Sequence, residues 1–98
     1  MGLTPQQHQA LLAIRAENSL TIGELADRLL LRPHSVTGLA DRLARLDLIV
    51  RQPSTVDRRR TELALTDTGT EMLRRLSEDH HAELRRLRPL LSDLLARL

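Results

Sequence analysis

The fold of this chain is decided by the stretch Arg51-Gln-Pro-Ser-Thr-Val-Asp-Arg-Arg-Arg-Thr-Glu-Leu-Ala-Leu-Thr66. The residues from Leu48 to Arg51 predict a first strand, and Thr61–Leu65 predicts a second. Leu63 and Leu65 share one face of the second strand at period two, as in a strand that is buried on one side. We therefore predict a β-hairpin, with periodic helical sequence before and after it.

The tip of this hairpin is polar and strongly basic. Arg58, Arg59 and Arg60 follow one another there, beside the acid Asp57. A cationic tip that projects from a helical body suggests contact with a polyanion. A charged loop that only keeps the chain in solution is an equally good interpretation of the tip alone, so its neighbours must decide.

Composition narrows the possible functions. The chain has 98 residues, which predicts one domain, and it contains no Phe, Tyr or Trp. Its core must therefore be aliphatic, and the absence of stacking side chains argues against single-stranded nucleic acid as the ligand. All fifteen basic residues are arginine and the net charge is only +2, so an anion site requires local clustering.

The absence of cysteine excludes disulfides and thiolate metal sites. No apolar run is long enough to span a bilayer and no signal peptide is evident, so we expect a soluble, cytoplasmic protein that does not contact membranes.

Two short helices are predicted ahead of the hairpin region. Thr4 and Gln7 have the spacing of a capping box, with Pro5 between them at the first helical position. Thr21 and Glu24 form a second capping box, followed by the apolar spacing of one helix face. Pro33 ends this second helix and suits the start of a third.

The third helix is predicted from about Pro33 to Leu46. Its buried stripe is Val36, Leu39, Ala40, Leu43 and Leu46. The opposite side is small and polar at its N-terminal end and charged beyond. Such a face can approach another surface closely, although a plain amphipathic helix with a solvated face is the better explanation of this helix taken alone.

A long C-terminal helix should follow, with Thr66 as its cap. Its apolar residues recur at spacings of three and four, and we expect Pro89 to interrupt it. So much leucine on a small chain predicts a dimer interface, with folding back onto the helical body as the alternative. The interface residues assigned are Met72, Leu73, Leu76, His80, Leu84, Leu87, Leu91, Leu94, Leu95 and Leu98.

The order of elements predicts a fold that is mainly α with a small antiparallel sheet. Two short helices joined by a tight turn make a helix-turn-helix, and the hairpin that follows forms a wing. We divide the single domain into a winged helix-turn-helix region at 1–66 and a C-terminal dimerisation region at 67–98.

The chain resembles the MarR-type winged helix-turn-helix transcriptional regulators. The resemblance is carried by residues 20–26, by residues 34–43, and above all by Asp57-x-Arg59 leading through Leu63 and Leu65 to Thr66 and Gly69. It covers residues 3–76 well and the remainder loosely. Two departures are the short segment before Thr4 and the short C-terminal region, which could reduce the family's ligand crevice.

The resemblance implies a homodimer that binds double-stranded DNA at a pseudo-palindromic operator, often as a repressor and often released by a small-molecule effector. By position, Arg59 would enter the minor groove and Asp57 would orient it. The DNA-binding residues assigned are Thr21, Arg32, His34, Ser35, Thr37, Gly38, Arg42, Asp57, Arg58, Arg59 and Arg60.

Other chemistry finds little support. His80 and Glu83 could bind the same metal ion, but no further cluster completes a coordination shell, so we assign no metal and no cofactor. No nucleophile, base and orienting group occur together, and we expect no enzymatic activity. The alternative function is a protein-interaction module that pairs with a full-length relative and does not bind DNA alone. Any effector crevice should be lined by Leu and Met without aromatic residues.

Overall fold

A computed structural model describes residues 2–98, apart from the side chain of His80. It contains one three-stranded antiparallel sheet, and the rest of the fold is mainly helical. The predicted fold class is thereby confirmed. The elements are α1 (Pro5–Glu17), β1 (Leu20–Thr21), α2 (Ile22–Leu29), α3 (Pro33–Arg45), β2 (Ile49–Pro53), β3 (Thr61–Leu65) and α4 (Asp67–Ala96).

The helices begin where the sequence predicts. Both capping boxes are present: the Gln7 amide donates to Thr4 Oγ1 at 3.1 Å, and the Glu24 amide donates to Thr21 Oγ1 at 3.1 Å. Helix α3 lacks a side-chain cap and begins with Pro33 in its first turn. Because proline has no N–H, one of the donors that a helix start leaves unpaired is absent there.

An aliphatic core joins all three helices of the N-terminal part to the sheet and to the start of α4. It is built from Leu, Ile, Val and Ala, as the absence of aromatic residues requires. The buried apolar residues are Ala10, Leu11, Ile14, Leu20, Leu25, Ala26, Val36, Leu39, Ala40, Leu43, Leu48, Ile49, Leu63 and Leu73. Leu46, which we expected in the buried stripe of α3, is instead 51% exposed, because α3 ends at Arg45.

The sheet positions the hairpin against the helices. The central strand β3 pairs with β1 through Leu20 and Leu63, and with β2 from Ile49–Leu65 to Pro53–Thr61. The first arm of the hairpin therefore extends two residues beyond the predicted end at Arg51. Proline is tolerated at its end because β2 is an edge strand.

Helix α4 is one continuous element, and the prediction that Pro89 interrupts it is wrong. Proline removes the hydrogen bond to the carbonyl four residues earlier, and its ring crowds that carbonyl, which usually bends a helix without having to end it. The chain is exposed around Arg85 and Pro89, so water can hydrate that carbonyl. The helix projects from the body, and the molecule measures 58 × 25 × 24 Å. Within residues 2–98, no helix is both long and apolar enough to cross a bilayer.

The first turn of α4 is joined to the turn that ends α3. Asp47 has a left-handed φ of 61°, and the Leu48 amide donates to the Leu43 carbonyl at 3.0 Å, which closes the helix. The Thr66 amide then donates to the Leu48 carbonyl at 3.1 Å. A Cβ on Gly69 would lie 2.1 Å from that same oxygen, so only glycine permits this approach.

Candidate nucleic-acid interface

Helix α3 presents a polar outward face. His34, Ser35 and Thr37 are exposed in its first turns, and Arg42 is exposed further along. The Thr37 hydroxyl donates to the Pro33 carbonyl at 3.1 Å, within its own helix. Four residues assigned to DNA binding therefore lie on exposed positions of one helix.

Gly38 leaves open space in the middle of this face. A Cβ there would meet only the Arg42 Nη1 atom, at 3.8 Å, which is ordinary van der Waals contact. The Arg42 guanidinium thus lies over the glycine, toward the N-terminal half of α3. Arg32, another assigned residue, is exposed as the extended residue that precedes α3.

A salt bridge that the sequence analysis missed fixes the hairpin against α3. Asp41 lies on the outward side of α3, and its Oδ1 accepts from Arg51 Nη2 on β2 at 2.5 Å. The pair joins residues ten positions apart, and neither belongs to a local motif. An acid on an otherwise basic face was the only sequence feature that could have suggested a partner.

The hairpin tip is a hydrogen-bonded turn, and most of its bonds involve Ser54. This residue is only 5% exposed, and its Oγ accepts from the Val56 amide at 3.1 Å and the Asp57 amide at 3.2 Å. The Ser54 amide donates to the Arg60 carbonyl, and the Arg60 amide donates to the Asp57 carbonyl, both at 2.9 Å. These bonds close residues 54–60 into a defined shape.

Asp57 and Arg59 interact at the end of this tip. The Arg59 backbone amide and Nε both donate to Asp57 Oδ1, at 3.1 and 3.2 Å, and Nη2 reaches Oδ2 at 3.5 Å. These bonds from the Arg59 side chain and amide lower the pKa of the Asp57 carboxyl. The Arg59 side chain remains 91% exposed, so it is oriented without being buried.

Arg60 turns away from the tip. Its Nη2 lies 3.5 Å from Thr21 Oγ1 and 3.6 Å from Glu24 Oε1, at the start of α2. Thr21 and Arg60, both assigned to DNA binding, are therefore brought together with an acid. Their assignment to DNA binding stays a prediction.

Within residues 2–98, several arginines of α3, of the residue before it and of the hairpin tip form no salt bridge. Among the residues that the structure describes, no salt bridge involves Arg32, Arg42, Arg45 or Arg58. Local clustering thus supplies positive charge that a net charge of +2 does not suggest.

A groove of about 700 Å³ separates α1 from α4. Its apolar walls come from Leu12, Leu73 and Leu76, and His8 and Arg15 are among its polar lining. The walls are free of aromatic residues as expected, but no Met lines them. Within the described part of the chain, no three His, Asp or Glu side chains converge as metal ligands would.

A helix-turn-helix followed by a hairpin wing defines the winged helix-turn-helix class, and this chain has that architecture. A model of the MarR family matches residues 1–60. The chain belongs to the MarR family.

Relatives and solved structures agree with this membership. The chain is 43% identical over 68 residues to the HTH-type transcriptional repressor MdtR of Bacillus subtilis (strain 168), covering 69% of this chain and 44% of MdtR. It is 29% identical over 92 residues to the HTH-type transcriptional regulator MhqR of the same organism, covering 94% and 63%.

The crystal structure of the YusO protein from Bacillus subtilis matches with a TM-score of 0.79 and 36% identity, over 87% of this chain and 60% of that one. RV1404 from Mycobacterium tuberculosis matches with a TM-score of 0.86 and 27% identity, over 91% and 60%. The chain therefore spans less than two thirds of the length of these relatives.

Proposed function

We propose that this chain is a dimeric, sequence-specific regulator of transcription that binds double-stranded DNA and acts as a repressor. Helix α3 reads the major groove, and the wing formed by β2, β3 and residues 54–60 enters the minor groove. The observation that carries the proposal is the Asp57–Arg59 pair, in which an exposed guanidinium is oriented at the end of a closed turn.

The shape of α3 supports its role in the major groove. A groove about 12 Å wide admits one helix, and base edges are read by short polar side chains and arginine. His34, Ser35 and Thr37 supply the short groups, and Arg42 supplies a fork that suits guanine. Because Gly38 has no side chain, the helix can approach the bases closely at its centre.

The structure of the wing supports its proposed contact with the minor groove. A narrow minor groove has an enhanced negative potential that attracts arginine. Arg59 is held by its backbone amide and its guanidinium against one carboxylate, which reduces the side-chain entropy that binding must remove. Arg58 has no acidic partner among the described residues and is free for a phosphate.

The distal part of α4 supports a dimer. Leucines at 84, 87, 91, 94 and 98 alternate at spacings of three and four, which is the seam of a coiled coil. Each of these is between 45% and 99% exposed in the single chain. Of the remaining assigned residues, Leu95 is exposed while Met72 and Leu76 are half-buried, and the assignment of His80 lies outside the described residues.

We leave one assigned interface residue, Leu73, out of the proposed dimer surface. Leu73 is 1% exposed in the single chain and packs within its core, so it has no surface to offer a partner. The dimer surface that we propose therefore begins beyond Leu73. The α1–α4 groove adjoins that surface and is the site that we propose for a small-molecule effector.

Replacing Arg59 with alanine tests the DNA-binding part of the proposal. The probe is the set of genomic fragments that the wild-type chain selects, and the measurement is affinity as a function of salt. We expect Arg59→Ala to weaken binding by about fivefold to 150-fold, since a well-placed arginine contact is worth about 1–3 kcal/mol. Arg85→Ala removes the same charge from α4 and should leave the affinity unchanged. Equal binding by wild type and Arg59→Ala would contradict the proposed wing contact.

Light scattering after size exclusion tests the dimer. A stable homodimer, with recognition helices about 34 Å apart, is expected. A monomer that pairs only with a longer relative, and binds no DNA alone, would instead support a protein-interaction module.

A further inference from the structure

The three consecutive arginines of the wing differ in their surroundings. Arg58 has no acidic partner among the described residues, and Arg59 pairs with Asp57 inside the tip. Arg60 extends in the other direction, toward the first turn of α2. Three residues of one type in a row therefore have three different environments, and only the structure separates them.

The target of Arg60 is the capping box of α2. Glu24 Oε1 accepts from the Thr21 amide at 3.0 Å, and the Glu24 amide donates to Thr21 Oγ1. Arg60 Nη2 approaches both partners of this box, at 3.5 and 3.6 Å. The hydrogen bonds with Thr21, and to a lesser degree the charge of Arg60, lower the pKa of the Glu24 carboxyl, so Glu24 is an anion at neutral pH.

The backbone of Arg60 also closes the wing tip. Its amide donates to the Asp57 carbonyl and its carbonyl accepts from the Ser54 amide. Among the described residues, Arg60 is thus the one whose main chain belongs to the tip and whose side chain contacts the helix-turn-helix unit. Two residues after Arg60, Glu62 on β3 accepts a hydrogen bond from Ser19 and pairs in register with Thr21.

A phosphate is a poor ligand for this guanidinium. Glu24 already faces Arg60. The hydrogen bond from Ser19 is the main cause that lowers the pKa of the Glu62 carboxyl, and the bonds from Arg59 are the main cause for Asp57. The charge of Arg60 adds to both shifts, so both acids lie within its reach. A phosphate that approached Arg60 would meet this negative field, and it would compete with a carboxylate that is attached to the same fold. Arg58 has no acidic partner among the described residues. Arg59 pairs with Asp57, but its side chain is 91% exposed, whereas that of Arg60 is 53% exposed.

We propose that Arg60 is a positioning residue, which holds the wing tip and Arg59 at a fixed angle to the helix-turn-helix unit and does not itself neutralise a phosphate. This inference rests on the proposed DNA-binding function. It separates the arginines by mechanism: Arg58 supplies charge, Arg59 enters the groove, and Arg60 orients the tip through Thr21 and Glu24.

Glu24→Gln gives a test in which the two mechanisms predict opposite signs. Glutamine keeps an oxygen that can accept from the Thr21 amide, but it loses the ion pair with Arg60. If Arg60 is a positioning residue, Glu24→Gln weakens DNA binding, about threefold to tenfold. If Arg60 only attracts phosphate, removing a nearby acid strengthens binding, and this result would overturn the proposal.

The salt dependence gives a second test on the full chain. Each phosphate that a side chain neutralises contributes about −0.9 to the slope of log affinity against log salt. Arg58→Gln should reduce the magnitude of the slope by about that amount. Arg60→Gln should weaken binding about tenfold with little change in slope, and Arg60→Gln with Glu24→Gln should be no worse than Arg60→Gln alone. A full unit lost from the slope in Arg60→Gln would overturn the proposal.

Hydrogen exchange of the free chain makes the inference testable without DNA. Arg60→Gln and Glu24→Gln should each speed exchange of the Ser54 and Arg60 amides severalfold, because both depend on the closed tip. Arg58→Gln is the matched control and should leave them unchanged. Unchanged amides in all three variants would overturn the positioning role. Wild-type chain that binds no DNA would instead remove the proposed function, and the exchange data would still decide whether Arg60 orients the tip.

Discussion

The first turns of α4 and its last turns are stabilised in different ways. At the start, Thr66 caps the helix, Gly69 touches the Leu48 backbone, and Leu73 is buried in the core. From Leu84 onward every leucine is at least 45% exposed. The whole of α4 is helical, but only its first turns pack against the rest of this chain.

We infer from this difference that one helix serves two units. Its start belongs to the winged helix-turn-helix, because Thr66 and Gly69 contact the turn that ends α3. Its end packs against the second chain of the dimer that we propose. A shift of the distal part would therefore act on α3 through a backbone contact, which has less freedom to adjust than side chains do.

The largest effect on stability is expected at the contact between Gly69 and the Leu48 backbone, which we call the joint. Gly69→Ala places a Cβ at 2.1 Å from the Leu48 carbonyl oxygen, so backbone must move. We expect the free energy of unfolding to fall by about 4 kcal/mol or more, at the upper end for single substitutions. Urea unfolding measures it. Gly23→Ala is the matched control, because nothing lies within 4 Å of its added Cβ, and it should be neutral or slightly stabilising. Equal stability of the two variants would contradict a close-packed joint.

The next effect is expected in the distal seam. Leu91→Gln should weaken the dimer roughly a hundredfold, because two leucines are lost per dimer at about 1.5 kcal/mol or more each. Sedimentation equilibrium measures the change. Leu30→Gln removes a leucine that is 92% exposed away from the seam, and it should leave the dimer unchanged. A dimer that tolerates Leu91→Gln would place the interface elsewhere.

Much of the fold was predictable because its determinants are local. Capping boxes at Thr4 and Thr21 are spaced by three residues, and the apolar periods of α2 and α3 repeat within a few turns. The wing was predictable from its strand pattern and from Asp57-x-Arg59. These features depend on neighbours in sequence, which a reader of the sequence can see.

The remainder depends on contacts between distant residues. Gly69 belongs to a recognised motif, but its contact with Leu48 requires knowing where α3 ends. Leu73 fits the heptad pattern as well as Leu84 does, and only the packing of the body separates a core residue from an exposed one. Arg58 and Arg60 flank Arg59 on either side in the sequence, but the partner of Arg60 lies 36 positions away at Glu24.

Pro89 offers a smaller test of the distal part. Proline costs about 3 kcal/mol inside a helix, although an exposed carbonyl recovers some of this from water. Pro89→Ala should therefore raise helicity and strengthen the dimer, by less than Leu91→Gln weakens it. Circular dichroism at two chain concentrations measures both. A loss of helicity would mean that the proline is required by the packing of the partner.

The smallest effect on stability is expected on the exposed face of the first turns of α4. There the Glu71 carboxylate accepts hydrogen bonds from Arg74 at 2.6 and 2.9 Å. The hydrogen bond from Arg74, supported by Arg75, lowers the pKa of the Glu71 carboxyl to about 2. Because this value lies below the ordinary 4.5, the pair stabilises the fold above about pH 4.5, and that stability is lost as the pH falls toward 2. The pair is exposed, so screening keeps its contribution to unfolding small. Carboxyl chemical shifts measure the pKa directly: Arg74→Gln should raise it toward 4.5, and wild-type titration near 4.5 would show that the bonds do not persist in solution.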